Sequence, residues 1–235
     1  MSDAVLAQME SFAALYQRAC ERKGGPKALE ALLSKPLANS QVATLGDDRF
    51  LAEFTKKIFQ SGFVWKVVRN KWPDFERVFF GFDIDKVLLM PDEMLEQRAQ
   101  DPSIIRHYRK VKTVRDNALM IESVRNEHGS FSRFVANWPG DDIINLWAYL
   151  KQHGARLGGN TGPYALRFLG KDTFLLSRDV TSYFTQRNII SGGGASKRSL
   201  NAIQASFNEL HQQSGRSLQE LSQIISLSVG DNQLN

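Results

Sequence analysis

Residues 157–184 read LGGNTGPYALRFLGKDTFLLSRDVTSYF, and this stretch decides how the fold is interpreted. Three glycines surround Asn160 and Thr161, so the backbone here can take positive φ angles and approach a partner closely. Pro163 follows, and proline suits the first turn of a helix, where its missing N–H removes no hydrogen bond. A tight turn that leads into a helix N-terminus points amides outward, where they can hold a phosphate. By themselves, however, the glycines favour an ordinary Gly-Pro loop between two helices.

We call the turn at Gly158–Gly162 the hairpin. Two carboxylates follow it along the chain, and either is a candidate for a catalytic role. Asp179 lies in the sequence Ser-Arg-Asp-Val at the expected start of a helix, where the helix dipole stabilises an anion. Aspartate also favours the first turn of a helix for purely structural reasons. Asp172 lies closer to the hairpin, and we expect it to cap a helix that contains Phe174 to Leu176.

The composition indicates a folded, basic protein in a reducing compartment. Its 235 residues suffice for one substantial domain or for two small ones that share a core. The net charge of +5 and the pI near 9.3 favour an acidic partner such as nucleic acid, although charge alone decides little. The single cysteine, Cys20, excludes an internal disulfide, a cysteine-rich zinc site and an iron–sulfur cluster. We expect no metal and no cofactor.

The N-terminal sequence lacks the basic region and the uninterrupted apolar core of a secretory signal. No run of the chain approaches the ~20 apolar residues that a membrane span needs. We therefore expect a cytoplasmic protein without a membrane partner. We also expect a monomer.

The spacing of apolar residues predicts an all-α protein. In one segment they recur at i, i+3 and i+7 behind Asp47 and Asp48, which can cap that helix. Residues 63–68 could form a strand, but their flanks are helical and we interpret them as helical too. Further helices are predicted from Ile104 to near His128, from Ile143 to His153, after Ser196, and after a capping box from Ser217 to Glu220.

Two segments of the chain resemble known DNA repair enzymes. The sequence GGNTGPYALRFLG, followed by DTFLLSRDV, resembles the helix-hairpin-helix and downstream aspartate of the base-excision DNA glycosylase superfamily. Upstream, Asp48 to Ile121 is similar to the 3-methyladenine DNA glycosylase I family, and the two regions together span about 140 residues in the expected order. The upstream similarity is carried by Gln60–Trp65, Phe75–Phe79 with Phe82 and Asp83, Ile104–His107 with Lys110, and Asn117 with Ala118.

The resemblance implies a helix-hairpin-helix glycosylase fold with two helical lobes around a DNA-binding cleft. The glycosylase domain is then expected over residues 41–235, with residues 1–40 as an N-terminal helical extension. The implied partner is double-stranded DNA that contains a damaged base.

The resemblance also makes Asp179 the catalytic carboxylate, because the superfamily's aspartate follows a full helix and a linker, which fits Asp179 better than Asp172. Cleavage of a glycosidic bond develops positive charge on the sugar, which a nearby anion stabilises while it helps to orient water. Bifunctional members of the superfamily place a nucleophilic lysine just after the hairpin, where this chain has Pro163 and Tyr164. Lys171 is too far along the chain to be that lysine, so the resemblance implies monofunctional hydrolysis.

The expected base-binding residues are Trp65, Lys57 and Gln60. Trp65 aligns with a tryptophan of the family, and its ring could stack on an extruded base; a buried core position is the alternative. Lys57 stands where the family has a glutamate that recognises the methylated base. A lysine at this position would repel cationic 3-methyladenine, so the resemblance does not identify the lesion that is excised.

DNA binding is expected from the hairpin and its basic neighbours. These residues are Gly158, Gly159, Asn160, Thr161 and Gly162, with Arg156, Lys171 and Arg178. Phosphate contacts of this kind give position and salt dependence without sequence preference, and a solvated basic face is the alternative. The sequence therefore predicts a monofunctional DNA glycosylase that removes a damaged, alkylated purine. The alternatives are a catalytically inactive helix-hairpin-helix DNA-binding or damage-sensing protein, and a structural helical domain with another ligand.

Overall fold

A computed structural model describes residues 9–230, and every regular element in that range is helical. The prediction of an all-α protein is confirmed. None of the described helices has the length and apolar character that crossing a bilayer requires. In chain order the α-helices are α1 Phe12–Lys23, α2 Pro26–Leu32, α3 Asn39–Val42, α4 Asp47–Gln60, α5 Trp65–Asn70, α6 Trp72–Val78, α7 Ile84–Leu88, α8 Asp92–Gln100, α9 Tyr108–His128, α10 Phe131–Asn137, α11 Ile143–His153, α12 Thr161–Phe168, α13 Arg178–Gln186, α14 Lys197–Ser214 and α15 Leu218–Leu227.

The chain forms two compact units, which we call the central and the terminal unit. The central unit comprises Leu37–Trp138 and Asn145–Lys171. The terminal unit comprises Pro139–Ile144 and the described parts of Met1–Pro36 and Asp172–Asn235. The predicted division into an N-terminal extension over residues 1–40 and a glycosylase domain over residues 41–235 stays a prediction. The two compact units are defined by packing, which does not test where a family domain begins.

One predicted helix boundary and one predicted helix are wrong, for the same physical reason. The helix α9 begins at Tyr108, although Ile104 and Ile105 are buried ahead of it. No helix forms over residues 174–176, where Phe174 is fully buried in an irregular segment between α12 and α13. Apolar spacing reports burial, and a buried irregular segment produces the same signal as one turn of helix.

The core of the central unit surrounds α4, which packs against α9 and α12. The rings of Phe50 and Phe54 both meet Phe131 of α10 edge to face, at centroid distances of 5.3 and 5.8 Å. Asp47 was predicted to cap its own helix, and this prediction is wrong. Its carboxylate accepts hydrogen bonds from the backbone N–H groups of Phe131 (3.1 Å) and Ser132 (3.0 Å), so it caps α10 and joins that helix to α4.

Asp172 plays the same part in the terminal unit. It accepts hydrogen bonds from the backbone N–H groups of Leu218 (3.1 Å) and Gln219 (2.8 Å), so it caps α15 and not a helix of its own. The expected capping box of α15 is also present, with Ser217 and Glu220 bonded to each other's backbone N–H. The predicted structural role of Asp172 therefore holds, but the predicted helix was wrong.

The helix α13 is held in the terminal unit by a polar cluster. Glu10 accepts hydrogen bonds from the hydroxyl of buried Tyr183 (2.8 Å) and from Arg187 (2.8 Å), and it forms a two-pronged pair with Arg18. Burial raises the pKa of the Tyr183 hydroxyl, and the neighbouring Glu10 carboxylate raises it further. This cluster fixes one face of α13, the helix that begins with Arg178 and Asp179.

Candidate functional site

The base-binding residues predicted from the sequence meet at the end of α4. Lys57 lies in the last turn of this helix and is 5% exposed. Its ammonium group lies 3.2 Å from a carboxylate oxygen of Glu53, one turn earlier, and donates a 3.2 Å hydrogen bond to the buried side-chain carbonyl of Gln60. Burial lowers the pKa of Lys57, and the Glu53 carboxylate opposes that shift.

Two half-exposed aromatic rings cover this ammonium group. The Lys57 nitrogen lies 5.3 Å from the ring centre of Trp65 and 3.2 Å from that of Phe168. Trp65 is 47% exposed, so the core alternative for this residue is wrong, and Phe168 is 61% exposed. We call Trp65 and Phe168 the aromatic pair. Both rings interact with one cation through their π faces and also present surface to solvent.

Phe168 was not found from the sequence. It is the last residue of α12, and it meets Lys57 because α12 packs along α4. The two residues are more than a hundred positions apart in the chain, and no local spacing links them. The one available signal is a large aromatic residue at the end of the helix that follows the hairpin.

A second buried lysine holds the segment that leads to Trp65. The Lys110 ammonium donates hydrogen bonds to the backbone carbonyls of Ile58 (2.8 Å), Phe59 (3.4 Å) and Ser61 (2.5 Å). A cation is favourable at the C-terminal end of a helix, where carbonyls lack helical partners. Burial lowers the pKa of Lys110, and nearby Arg156 lowers it further. Lys110 therefore fixes the end of α4.

The predicted hairpin joins α11 to α12, and only part of it faces solvent. The N–H of Thr161 donates to the Gly158 carbonyl (3.3 Å), and the N–H of Gly162 donates to the Leu157 carbonyl (3.2 Å). A Cβ atom at Gly162 would lie 2.6 Å from that carbonyl oxygen, so close packing requires glycine there. Gly159 has a φ of +61° with open space around its Cα, and it is exposed. Asn160 beside it is exposed as well.

Asn117 anchors the hairpin to α9. Its side-chain amide donates to the backbone carbonyl of Ala155 (3.1 Å), and its side-chain oxygen accepts from the N–H of the same residue (2.8 Å). Asn117 is fully buried. The sequence marked this residue only through the family resemblance, and the structure supplies a physical reason for it.

Three basic residues were expected to bind DNA, and in the structure two of them are exposed and one is buried. Arg156 has a φ of +59° and is exposed beside the hairpin, and Arg178 is exposed at the start of α13. Lys171 is 2% exposed, and its ammonium donates to the backbone carbonyls of Ala136 (3.1 Å) and Trp138 (2.6 Å). A phosphate cannot reach an ammonium group buried in this way, so the prediction for Lys171 is corrected to a structural role.

Asp179 lies in the terminal unit, in the first turn of α13. Ser177 caps this helix by accepting a hydrogen bond from the N–H of Val180 (3.2 Å). The half-buried Asp179 carboxylate accepts a 3.3 Å hydrogen bond from the hydroxyl of Ser226 and lies beside the backbone of Gly230. Residues 9–230 contain no group of three or more His, Cys, Asp or Glu side chains that could hold a metal ion.

Residues 42–158, about half of the chain, match the family model of methyladenine glycosylases. This range contains Lys57, Gln60, Trp65, Lys110 and Asn117. Among curated proteins, none matches the chain.

Solved structures give a second comparison. The 8-oxoguanine DNA glycosylase of Methanocaldococcus jannaschii matches with a TM-score of 0.51 and 17% identity, over 91% of this chain and 92% of that chain. The 8-oxoguanine glycosylase/lyase of the same organism, solved with a DNA 15-mer containing 8-oxoguanine, has a TM-score of 0.51 and 14% identity, over 91% and 95%. The 3-methyladenine DNA glycosylase I of Staphylococcus aureus has a TM-score of 0.47 and 21% identity, over 59% and 79%. The fold is that of the helix-hairpin-helix DNA glycosylases.

Proposed function

The chain belongs to the methyladenine glycosylase family of base-excision repair enzymes, and we propose that it is a monofunctional DNA glycosylase for a damaged, alkylated purine. One observation carries the proposal. The family match covers the segment in which Lys57, Gln60 and a half-exposed Trp65 converge within the central unit. A half-exposed aromatic ring beside buried polar groups is suited to hold a flat base by stacking and by hydrogen bonds.

Each proposed residue has a chemical role. Trp65 stacks on the extruded base, and Gln60 with Lys57 supplies hydrogen-bonding groups. Asp179 stabilises the positive charge that develops on the sugar as the glycosidic bond breaks, and it helps to orient the attacking water. The first turn of a helix suits this role, because the dipole of α13 favours a negative charge there.

The burial of Lys171 supports hydrolysis without a lyase step. A Schiff base with the sugar requires a free amine, and the Lys171 ammonium is hydrogen-bonded to two backbone carbonyls. Pro163 and Tyr164 follow the hairpin, where bifunctional enzymes of the superfamily place their lysine. The expected product is therefore an intact abasic strand.

The exposed part of the hairpin is the proposed contact with duplex DNA. Gly159, Asn160 and Arg156 are exposed there, and Asn117 holds the loop in place. Backbone and arginine contacts to phosphates predict binding that weakens steeply with salt and varies little with sequence.

A catalytically inactive damage sensor is the second candidate, and Lys57 is the observation that favours it. A lysine replaces the acid that the family uses to recognise a methylated base, so binding without catalysis would also fit. An incision assay separates the two candidates. Duplexes that carry single lesions are incubated with the protein and treated with alkali, and strand scission is measured. Scission only after alkali supports a monofunctional glycosylase, whereas binding without scission supports the sensor.

Asp179 and Asp172 provide a matched pair of variants for this assay. Asp179→Asn keeps the shape but removes the charge, so single-turnover excision is expected to fall by roughly 10² to 10³. Asp172→Asn weakens a cap of α15, so it is expected to lower stability by about 1 kcal/mol and to leave the chemical step intact. Excision at the wild-type rate by Asp179→Asn on a neutral lesion would refute the catalytic assignment.

A further inference from the structure

We infer that Lys57 selects the damaged base by charge, so that the site favours an uncharged alkylated purine with a hydrogen-bond acceptor over a cationic one. The inference rests on the proposed function and names the class of substrate. It assigns Lys57 as a specificity-determining residue and Phe168 as a second aromatic contact beside Trp65.

The ammonium group of Lys57 lies where a bound base would approach it. Lys57 is buried at the end of α4, yet its nitrogen lies under the two rings of the aromatic pair, both of which reach solvent. A base that stacks on either ring therefore comes close to a cation that water screens poorly. Charge on that base then influences binding more strongly than it would at an exposed site.

Only part of the ammonium group is paired with strong hydrogen-bond acceptors. Its polar partners are the carboxylate of Glu53 and the side-chain carbonyl of Gln60, both on α4. Two aromatic faces also contact it, and they attract a cation more weakly than a carbonyl or carboxylate does. The side of the ammonium that faces the aromatic pair can therefore exchange a ring contact for a hydrogen bond to a base acceptor.

Alkylated purines differ in charge. Alkylation at N3 or N7 leaves a purine nucleoside with a positive charge, whereas an etheno bridge across N1 and N6 of adenine leaves it uncharged. A cationic base would face the positive end of the Lys57–Glu53 pair and be disfavoured. An uncharged base with a ring nitrogen or carbonyl acceptor would gain a charge-assisted hydrogen bond.

The experiment compares 1,N6-ethenoadenine with 7-methylguanine in the same duplex. Excision is measured as acceleration over the spontaneous loss of each base, because the cationic base leaves readily by itself. Affinity is measured separately on duplexes whose 2′-fluorinated sugar resists cleavage. The variants are Lys57→Met, the charge reversal Glu53→Lys with Lys57→Glu, and Lys86→Met as a control at an exposed lysine of α7.

We expect the wild-type protein to bind and accelerate the ethenoadenine duplex more than the methylguanine duplex. Lys57→Met should lower affinity and acceleration for ethenoadenine about tenfold and leave those for methylguanine unchanged or higher. The charge reversal keeps an ion pair between positions 53 and 57 and should shift the preference toward the cationic base. Lys86→Met should behave as the wild type does.

The possible results separate this inference from the proposed function. If neither base is excised but ethenoadenine binds in preference through Lys57, the glycosylase assignment fails and the charge selection stands. If both bases are excised but Lys57→Met reduces both equally, or the wild type prefers methylguanine, the charge selection is overturned and the glycosylase assignment stands. An unchanged preference in the folded charge-reversal protein would also overturn the charge selection.

Discussion

Two groups of buried polar side chains in the central unit differ in whether their partners are backbone groups or side chains. Lys110 and Asn117 bond to backbone groups, at the end of α4 and at the start of the hairpin respectively. Lys57 forms an ion pair with Glu53 and donates a hydrogen bond to the side chain of Gln60, and aromatic rings of two other helices cover it. The first group can only be satisfied in one arrangement of the backbone, whereas the second can exchange partners without moving the backbone.

This difference indicates where the molecule is fixed and where it can bind. Backbone carbonyls buried without a donor are strongly unfavourable, so residues that satisfy them are structural. Side-chain partners can rotate away, and a ligand can replace them. We therefore expect variants of the first group to affect stability most, and variants of the second group to affect recognition.

The largest expected effect on stability is that of Lys110→Met. The change leaves the carbonyls of Ile58 and Ser61 without their buried donor, so unfolding in urea should show a loss of about 3 kcal/mol. Lys112→Met, at an exposed lysine two residues away, is the matched control and should change stability little. A loss at Lys110 no larger than that at Lys112 would contradict the structural role.

Asn117→Leu is expected to have the next largest effect. It removes both hydrogen bonds to the backbone of Ala155 while filling a similar volume, so stability should fall by about 2 kcal/mol. The loosened hairpin should also bind undamaged duplex more weakly at moderate salt. The outcome to watch is affinity: an unstable variant with unchanged affinity would show that Asn117 does not position the hairpin.

The sequence predicted the hairpin and the helices well because their signals are local. The glycines and Pro163 mark the turn, and Ser217 with Glu220 marks the start of α15. Asp47 and Asp172 show the limit of local reasoning. Each carboxylate was expected to cap its own helix, and each caps the N-terminus of a distant one. Propensity shows that aspartate caps helices, but it does not show which helix lies within reach.

The cluster around Lys57 was predicted only in part, for a related reason. Trp65, Gln60 and Lys57 lie within nine positions of one another, and the family resemblance identifies them together. Phe168 joins them through the packing of α12 on α4, which no spacing reveals. The burial of Lys171 was missed because a lysine beside a hairpin has the same sequence signature whether its side chain turns inward or outward.

A smaller effect on stability is expected when the Lys57–Glu53 pair is replaced as a whole. Lys57→Met with Glu53→Gln removes both charges, so no buried charge is left uncompensated. The free energy of unfolding should change by less than about 1 kcal/mol, while the preference for the uncharged base should fall about tenfold. The single variant Lys57→Met leaves Glu53 only the more distant ion pair with Lys56 (3.9 Å), so it should be less stable than the double variant. A double variant as unstable as Lys110→Met would remove the distinction between the two groups.

The smallest expected effect is a pH dependence that distinguishes the two lysines. Burial lowers the pKa of both side chains below the usual 10.5, so between the folded and unfolded pKa values the unfolded chain binds more protons. Stability should therefore rise with pH across that window. Lys57 faces Glu53, which raises its pKa, and Lys56, which lowers it, whereas Lys110 faces Arg156.

Glu53→Gln should extend the pH window of Lys57 to lower pH, because it removes the anion that keeps the ammonium charged. It should leave the window of Lys110 unchanged. Urea unfolding of the wild type, Glu53→Gln and Lys57→Met between pH 7 and about 10 measures the effect, since the difference from Lys57→Met isolates one lysine. Identical pH curves for the wild type and Glu53→Gln would mean that Glu53 does not control the charge of Lys57. Charge selection at this site would then depend on Lys57 alone.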